Sequence, residues 1–173
     1  MASLVPLSAI DPALIEQLLD YAFGADRHAR TAYRIREGTD WLPGLSFAAL
    51  DDEDYLVGTI QLWPIALTDR DGRAHPMLMV GPVAVVPERQ SEGFGKALMF
   101  AALQAVDASA KEGAPALPQV MIGDAPYYGR WGFTAAPTQG WHCPGPFERE
   151  RLLVRCANPA VLPAEGMLGP WYN

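Results

Sequence analysis

A loop with two glycines, Arg89–Gly95, carries the clearest chemical signal in the sequence. It follows the apolar segment Met77–Val86 and opens a segment whose apolar spacing predicts a helix over 93–111. Backbone N–H groups at the start of a helix have no intrahelical partner, and together with the helix dipole they form an anion site. Gly93 and Gly95 have no side chain that would block the approach of a phosphate. The loop therefore predicts a phosphate-binding site.

Two common phosphate motifs do not fit this loop. A Walker loop requires glycine at position 90 and Ser or Thr after Lys96, where the chain has Gln90 and Ala97. A dinucleotide fingerprint requires a third glycine at position 98, which is Leu98, and it belongs in the first βαβ unit of a chain. The phosphate must therefore belong to another kind of ligand.

Two motifs resemble those of the GCN5-related N-acetyltransferase (GNAT) family. The family's acetyl-CoA loop, Gln/Arg-x-x-Gly-x-Gly/Ala after a strand ending in Val-x-Pro, is similar to Val85–Gly95. The second family signature, Tyr-x-x-x-Gly-Phe, is similar to Tyr128–Phe133. The resemblance spans about 45–156, and the stretches 81–85 and 123–128 resemble the bacterial predicted N-acetyltransferase branch. Two motifs in the right order, each on the predicted element, are harder to obtain by chance than either alone.

The resemblance implies an α/β (α+β) architecture, the GNAT acyl-CoA N-acyltransferase fold. This is a mixed, mostly antiparallel sheet flanked by helices, with a splayed parallel strand pair. We expect a single N-acetyltransferase domain over 1–173, with core motifs at 45–156 and an irregular C-terminal tail over 157–173. The implied co-substrate is acetyl-CoA, and no metal is expected.

The resemblance also assigns contacts to the co-substrate. The pantetheine arm is expected to pair with the backbone of Val83, Ala84 and Val85 as an added strand. Backbone N–H groups from Gln90 to Lys96 are expected to hold the pyrophosphate. The remaining cofactor-binding candidates are Gln90, Ser91, Glu92, Gly93, Phe94, Gly95, Lys96, Tyr128 and Arg130. Lys96 and Arg130 are either charge partners of the phosphates or solvated surface residues.

The catalytic candidates are Tyr128 and Asp124. Tyr128 occupies the position of the family's general acid, which protonates the departing thiolate, and its alternative is a packing aromatic. A phenol titrates near 10 and a thiol near 8.5, so this proton transfer is uphill by ~2 kcal/mol at rest. The amine must arrive neutral, which requires a base or a water chain. Asp124 is the first candidate for the base, and its alternative is to cap the following short helix.

The acceptor side is weakly specified. In the family, the N-terminal helices and the loop before the last strand usually wall it, which brings in Arg27, Arg30, Arg34, Trp41, Trp63 and Trp141. Three arginines on one helix face suit an anionic acceptor or form a solvated surface. His28 and His142 line a substrate pocket or are structural. We expect a primary amine of a small molecule. A protein N-terminus or lysine, and a non-catalytic CoA-binding module, are the alternatives.

Several elements must position these residues. Ser3–Leu7 predicts a short strand, followed by a helix that Asp11 caps and Gly24 ends, and then by a second helix over 27–37 capped by Asp26. Strands at 45–50, 55–67 and 77–86 predict an antiparallel meander, with Asp71-Gly72 as a hairpin turn. The apolar stripe predicted for the first helix is Leu14, Leu18, Leu19 and Ala22.

The second half of the chain continues this pattern. Pro82 predicts a bulge or an unpaired edge, because proline cannot donate to a strand ladder. A strand at 118–123 should run parallel to 77–86 through the crossover helix, followed by a short helix at 126–131. Final strands are predicted at 134–141 and 151–156. The stripe predicted for the crossover helix is Phe94, Leu98, Ala101, Ala102 and Ala105.

Bulk composition narrows the partners. The net charge of −7 disfavours nucleic acid and anionic membranes as partners. The N-terminus has no basic and apolar pattern typical of a signal peptide, and no apolar run approaches the ~20 residues of a membrane span. With two cysteines, Cys143 and Cys156, we expect reduced thiols in a cytoplasmic enzyme rather than a disulfide. A homodimer is common in the family, although nothing in the sequence specifies an interface.

Overall fold

The computed structural model describes residues 3–172. Its strands are β1 (Ser3–Pro6), β2 (Phe47–Leu50), β3 (Leu56–Thr68), β4 (Ala74–Val85), β5 (Gln119–Ile122), β6 (Gly140–His142), β7 (Leu152–Arg155) and β8 (Glu165–Pro170). Its α-helices are α1 (Pro12–Phe23), α2 (Thr31–Ile35), α3 (Phe94–Ala108) and α4 (Ala125–Tyr128). None of the helices within these residues is long and apolar enough to cross a lipid bilayer.

The sheet is mixed and mostly antiparallel. Its strand order is β1-β2-β3-β4-β5-β7, and β8 pairs with both β3 and β6. The β4–β5 pair is parallel, with Leu78 opposite Gln119 and Met79 opposite Val120. A strand leaving a sheet and returning parallel requires a crossover connection, which α3 supplies. The predicted fold class is confirmed.

The chain divides into two compact units. The first comprises Met1–His28, Trp41–Leu62 and Val80–Ala116, and the second comprises Ala29–Asp40, Trp63–Met79 and Leu117–Asn173. Each unit is assembled from three chain segments, so the division marks no single boundary along the sequence. The single domain over 1–173 stays a prediction, and residues 1, 2 and 173 lie outside the described residues.

Helices cover both faces of the strands in the first unit. Ala48 and Ala49 are consecutive in β2 and therefore point to opposite faces. Ala48 lies in an apolar cluster with Leu18 of α1. Ala49 pairs with Gly58 of β3, where a Cβ would come 3.0 Å from Leu98 Cδ1 of α3. The strands thus lie between α1 and α3, and Gly58 permits the close approach of α3.

Helix α1 begins and ends where predicted. The Asp11 carboxylate accepts a hydrogen bond from the N–H of Ala13 at 2.9 Å, and Gly24 ends the helix at φ 95°. Leu14 was predicted in the apolar stripe but is 48% exposed, whereas Ile15 is buried. The buried face is therefore rotated by one residue at the start of the helix and continues through Leu18 and Leu19.

The stripe predicted for α3 is partly wrong. Phe94, Leu98 and Ala102 are buried as predicted, but Ala101 and Ala105 are only partly buried. The helix instead buries its larger apolar side chains, because these remove more apolar surface from water than alanine does. The additional buried residues are Met99, Leu103 and Val106.

Trp141 lies fully buried in the core of the second unit. Its indole Nε1 donates to the carbonyl oxygen of Pro163 at 2.8 Å. The prediction that Trp141 walls the acceptor site is wrong, because none of its surface is exposed. The same core contains Ile35, Ile65, Leu67, Met77, Met79, Val120, Leu152, Val154 and Leu168.

The second predicted helix, 27–37, is broken into two pieces. Arg27–Ala29 forms a 3₁₀ turn, and α2 begins only at Thr31, because Arg30 has an extended backbone (φ −69°, ψ 147°). Arg27 is also withdrawn from the surface, since its buried guanidinium pairs with Glu16 and Asp20 of α1. The three arginines therefore do not share one helix face.

The C-terminal tail was predicted to be irregular, but part of it forms a strand. Residues 165–170 form β8, which pairs antiparallel with 65–68 of β3 and parallel with 140–142 of β6. A Cβ at position 166 would come 2.7 Å from Leu67 Cγ, so Gly166 lets the two strands approach. The glycines that suggested an irregular tail instead allow this strand to pack.

The strand predicted at 134–141 is shorter than expected. Ala136–Thr138 forms a 3₁₀ turn, and the Thr138 hydroxyl donates to the carbonyl of Leu152 at 2.7 Å, which leaves only 140–142 as β6. The strand predicted at 151–156 is confirmed as β7.

In β4, the Gly81–Pro82 peptide bond is cis and the strand runs through it, so the predicted break in pairing at Pro82 stays a prediction.

Candidate active site

The loop before α3 turns through two left-handed backbone positions. Ser91 has φ 73° and Gly93 has φ 90°. Glycine adopts this conformation without steric cost, whereas serine pays roughly 1 kcal/mol or more for it. Alternation of left-handed and right-handed residues points successive N–H groups into one concavity, which is a common anion-binding arrangement.

Six consecutive N–H groups in this loop have no protein partner. Within residues 3–172, no hydrogen bond is made by the backbone N–H groups of 91–96, and the first helical bond runs from Ala97 to the Gly93 carbonyl at 3.1 Å. The N-cap residue is Gly93, and no side chain makes a capping hydrogen bond to these N–H groups. Unpaired donors at a helix start, reinforced by the helix dipole, favour a bound anion.

The side chains of the loop point to backbone binding. Gln90, Ser91, Glu92 and Lys96 are exposed, while Phe94 is 6% exposed and anchors α3 in the core. Phe94 can therefore offer a ligand only its backbone. Glu92 pairs with Arg89, whose Nε lies 2.7 Å from Glu92 Oε2.

At the end of β4, the backbone N–H and C=O groups of successive residues point alternately toward β3 and away from it. The carbonyl of Ala84 faces β3, since it would lie 2.9 Å from a Cβ at Gly58, and the N–H of Val86 donates to Val57 of β3. The backbone groups of Val83 and Val85 therefore point away from β3. The register of β4 with β5 includes only Leu78 and Met79, so Val83 and Val85 have no ladder partner there within the described strands. Of the three residues predicted to pair with pantetheine, Val83 and Val85 thus have backbone groups that point away from β3, whereas the carbonyl of Ala84 faces β3.

In the second unit, Tyr128 ends α4 within a group of aromatic rings. Its ring centroid lies 4.9 Å from that of Tyr127 and 5.9 Å from that of Trp131. The phenol oxygen has no hydrogen-bond partner within the range that the structure covers, 3–172. Burial, and secondly the adjacent Tyr127, raise the pKa of Tyr128 above its ordinary value of 10.0. The ring packs as the alternative predicts, and its hydroxyl remains a protonated donor at neutral pH.

Asp124 lies at the start of α4 but does not cap it with its side chain. Its backbone carbonyl accepts from the N–H of Tyr128 at 2.9 Å, and its carboxylate lies 3.7 Å from Arg151 Nη1. The capping alternative is therefore wrong for the side chain. The carboxylate is 68% exposed and so has free access to solvent.

Arg130 stacks on its neighbours. Its guanidinium carbon lies 4.6 Å from the Tyr127 ring centroid, and its Nε donates to the Tyr127 carbonyl at 3.1 Å. These contacts fix the stem of an exposed cation and leave its terminal nitrogens facing solvent. Lys96, in the first turn of α3, is exposed.

The predicted walls of the acceptor site are in contact with each other. The Thr31 hydroxyl of α2 donates to the Pro146 carbonyl at 2.5 Å, and Arg34 Nη1 donates to Pro144 at 3.4 Å. The loop before β7 is therefore held against α2. Trp63 stacks on Arg36 at 3.8 Å, and its buried Nε1 has no hydrogen-bond partner within 3–172.

The other acceptor candidates are dispersed. Trp41 joins the apolar core of the first unit. His28 lies in the turn Arg27–Ala29. His142 lines a shallow pocket of about 360 Å³ with Asp69, Arg70 and Glu165. Across the described residues, no group of three or more His, Cys, Asp or Glu side chains is arranged to hold a metal ion.

Comparison with known families identifies the family of this chain. The family model described as "Acetyltransferase (GNAT) domain" matches residues 10–136. The chain belongs to the GNAT acetyltransferase family. The match includes both the loop before α3 and the Tyr128–Phe133 signature. No curated protein sequence matches the chain.

Solved GNAT structures share this fold. A GNAT family N-acetyltransferase (YhbS) from Escherichia coli, solved with CoA, is 24% identical with a TM-score of 0.73, covering 98% of this chain and 89% of its own. A GNAT acetyltransferase from Brucella melitensis, solved with acetyl-CoA, is 25% identical with a TM-score of 0.56, covering 91% of this chain and 97% of its own. These likenesses support the fold over nearly the full described length.

Two structural roles were missed from the sequence. Asp51, in the β2–β3 turn, binds Arg89 Nη1 at 2.9 Å, and no local pattern signals a pair separated by 38 residues. Gly123 supports the Tyr128 ring, since a Cβ there would come 2.6 Å from Tyr128 Cε2. A glycine directly after a strand was the available signal for the second role.

Proposed function

We propose that this GNAT acetyltransferase moves the acetyl group of acetyl-CoA directly to a primary amine of a small molecule. The observation that carries the proposal is the row of unpaired N–H groups over 91–96 at the start of α3. Bound acetyl-CoA supplies an activated thioester. The free donors match a pyrophosphate, and the free edges of Val83 and Val85 match the amides of pantetheine.

Tyr128 is the proposed proton donor. Loss of the acetyl group leaves a thiolate, and the phenol Oη of Tyr128 gives it a proton as the C–S bond breaks and the C–N bond forms. The raised pKa keeps this phenol protonated at neutral pH. It also makes the proton harder to release, so the hydrogen bond to sulfur must form before the thiolate does.

Asp124 is the proposed general base, which accepts the proton that the amine loses. An alkylamine is mostly protonated at neutral pH and must lose a proton before it attacks. The Asp124 carboxylate is exposed and held 3.7 Å from Arg151, so it can pass that proton to solvent through water. Arg130 and Lys96 are proposed as cations for the phosphates, since both are exposed.

The acceptor is proposed to be small because α2 and the loop before β7 are joined by hydrogen bonds. Thr31 and Arg34 hold Pro146 and Pro144, which supports a wall in which α2 and this loop are joined rather than separate. A protein substrate requires an open groove for an extended chain.

A panel of amines with acetyl-CoA, read out by release of free thiol, tests the proposal. We expect turnover with one class of small amines, and a Tyr128→Phe variant that binds acetyl-CoA with unchanged affinity but turns over about 100-fold more slowly. Turnover of peptides but not of small amines would show a protein acetyltransferase. Acetyl-CoA binding with no turnover of any amine or peptide would show a CoA-binding module, and no binding at all would overturn the proposal.

A further inference from the structure

Arg89 joins the phosphate loop to a neighbouring turn. Its Nε and Nη2 donate to the two carboxylate oxygens of Glu92 at 2.7 and 3.0 Å, and its Nη1 donates to Asp51 at 2.9 Å. A two-point contact of this kind fixes both the distance and the plane of the carboxylate. Glu92 therefore has a defined orientation although it lies on an exposed loop.

The turn that receives Arg89 is held by hydrogen bonds of its own. The Asp51 carboxylate accepts from the N–H groups of Glu53 and Tyr55 at 2.9 and 3.0 Å, and only 13% of its side chain is exposed. The guanidinium carbon of Arg89 also lies 5.2 Å from the ring centroid of Phe94, which is buried at the start of α3. Arg89 is thus held between a fixed turn and the first residue of the helix.

Glu92 is an unfavourable residue for an anion site. It lies among the six N–H groups of 91–96 that have no protein partner. The bidentate bond to Arg89 lowers the pKa of Glu92, so its carboxylate is ionised at neutral pH. A free carboxylate there would repel a pyrophosphate and would also compete for the N–H groups.

We propose that Arg89 is a positioning residue of the acetyl-CoA site, which holds the Glu92 carboxylate against the Asp51 turn and so keeps its charge away from the pyrophosphate. This inference rests on the proposed function, since it assumes that acetyl-CoA binds the loop. Arg89 acts through Glu92 and touches no reacting atom. Its removal should therefore raise KM for acetyl-CoA and leave kcat at saturation nearly unchanged.

A double-mutant cycle separates this role from simple loss of structure. We expect Arg89→Gln to raise the Kd for acetyl-CoA by about three- to tenfold. The double variant Arg89→Gln, Glu92→Gln should return to within about twofold of Glu92→Gln alone, because the charge that needed holding is gone. The defect of Arg89→Gln should also shrink as salt is raised, since salt screens repulsion between exposed charges.

The control is Arg70→Gln, which breaks an exposed arginine–carboxylate pair with Glu165 in the second unit and should leave the Kd unchanged. Kd is measured by calorimetry, and melting temperature shows that each variant is folded. If Arg89→Gln binds as tightly as the wild type, or if the double variant stays as weak as Arg89→Gln, the inference is wrong while the proposed function stands. If the wild type binds no acetyl-CoA, both fall.

Discussion

The ring of Tyr128 lies directly over Gly123, so closely that a Cβ on Gly123 would come 2.6 Å from Cε2 and 2.8 Å from Cδ2 of the tyrosine. Gly123 follows β5, and Tyr128 ends the helix that comes next. The glycine thus sets the height at which the phenol sits above the end of the strand, and any side chain there must displace the ring.

Gly123→Ala should therefore lower turnover without abolishing folding. We expect kcat to fall about 10- to 100-fold if Tyr128 is the proton donor, because a shift of about 1 Å in a catalytic group costs that much. The matched control is Gly129→Ala in the same region, where an added Cβ meets no atom within 4 Å. Equal kcat for the two variants, measured by thiol release, would show that the position of the Tyr128 ring does not matter.

The pH profile of turnover should lack an alkaline limb from Tyr128 below pH 10. A general acid must be protonated, and burial raises the pKa of Tyr128 above its ordinary 10.0, which extends the protonated range upward. The measurement compares kcat from about pH 6 to 10 for the wild type and Tyr128→Phe. A descending limb in this range that is present only in the wild type would contradict the shift.

The two glycines of the loop before α3, Gly93 and Gly95, should respond differently to alanine. Gly93 has φ 90° and no neighbour within 4 Å of an added Cβ, so Gly93→Ala should destabilise by about 1 kcal/mol through backbone strain alone and weaken acetyl-CoA binding. Gly95 has no positive φ, and its added Cβ would lie 3.8 Å from Val85, an ordinary contact. Gly95→Ala should change stability by less than about 0.5 kcal/mol. Chemical denaturation and acetyl-CoA titration check both, and equal losses would be inconsistent with the loop geometry.

The two cysteines should differ in reactivity. Burial raises the pKa of the Cys143 thiol to about 11, so it stays protonated and covered at pH 8. Cys156 is only partly buried. A thiol reagent should therefore label only Cys156 rapidly in the native protein and both cysteines after denaturation. The Cys156→Ser variant should show no rapid labelling in the native state. Rapid labelling of Cys156→Ser would show that Cys143 is accessible.

Leu168 should be as important to stability as a residue of any earlier strand. It is 1% exposed within the core of the second unit, so Leu168→Ala should cost about 3 kcal/mol. Its neighbour Met167 is 47% exposed, and Met167→Ala should change stability by less than about 0.5 kcal/mol. Urea denaturation measures both, and two small losses would mean that β8 contributes little to the fold.

Local signals predicted the parts of the fold that depend on local physics. The Asp11 cap, the end of α1 at Gly24 and the start of α3 after Gly93 each follow from a residue and its nearest neighbours. The prediction of an anion site at the loop before α3 rests in the same way on the loop's own residues. The family resemblance was needed to name the anion.

Contacts between distant segments were not predictable in this way. The pair Asp51–Arg89 depends on two turns that meet only after the strands have assembled. The family resemblance predicts Trp141 at the acceptor wall from its place in the chain, before the last predicted strand, and the sequence does not show that its ring is buried in the core instead. The helical spacing also does not reveal the buried pairing of Arg27 with Asp20 of α1, nor the extended backbone of Arg30 that delays α2 until Thr31.

The pairing of β8 with β3 affects when the second unit can fold during synthesis. Residues 65–68 of β3 find their partner at 167–170, about a hundred residues later in synthesis. Until then, that stretch of β3 emerges from the ribosome with one edge unpaired, and an unpaired edge invites association with other nascent chains. The second unit can close only after residues 167–170 have been translated, so its folding must wait for the synthesis of β8.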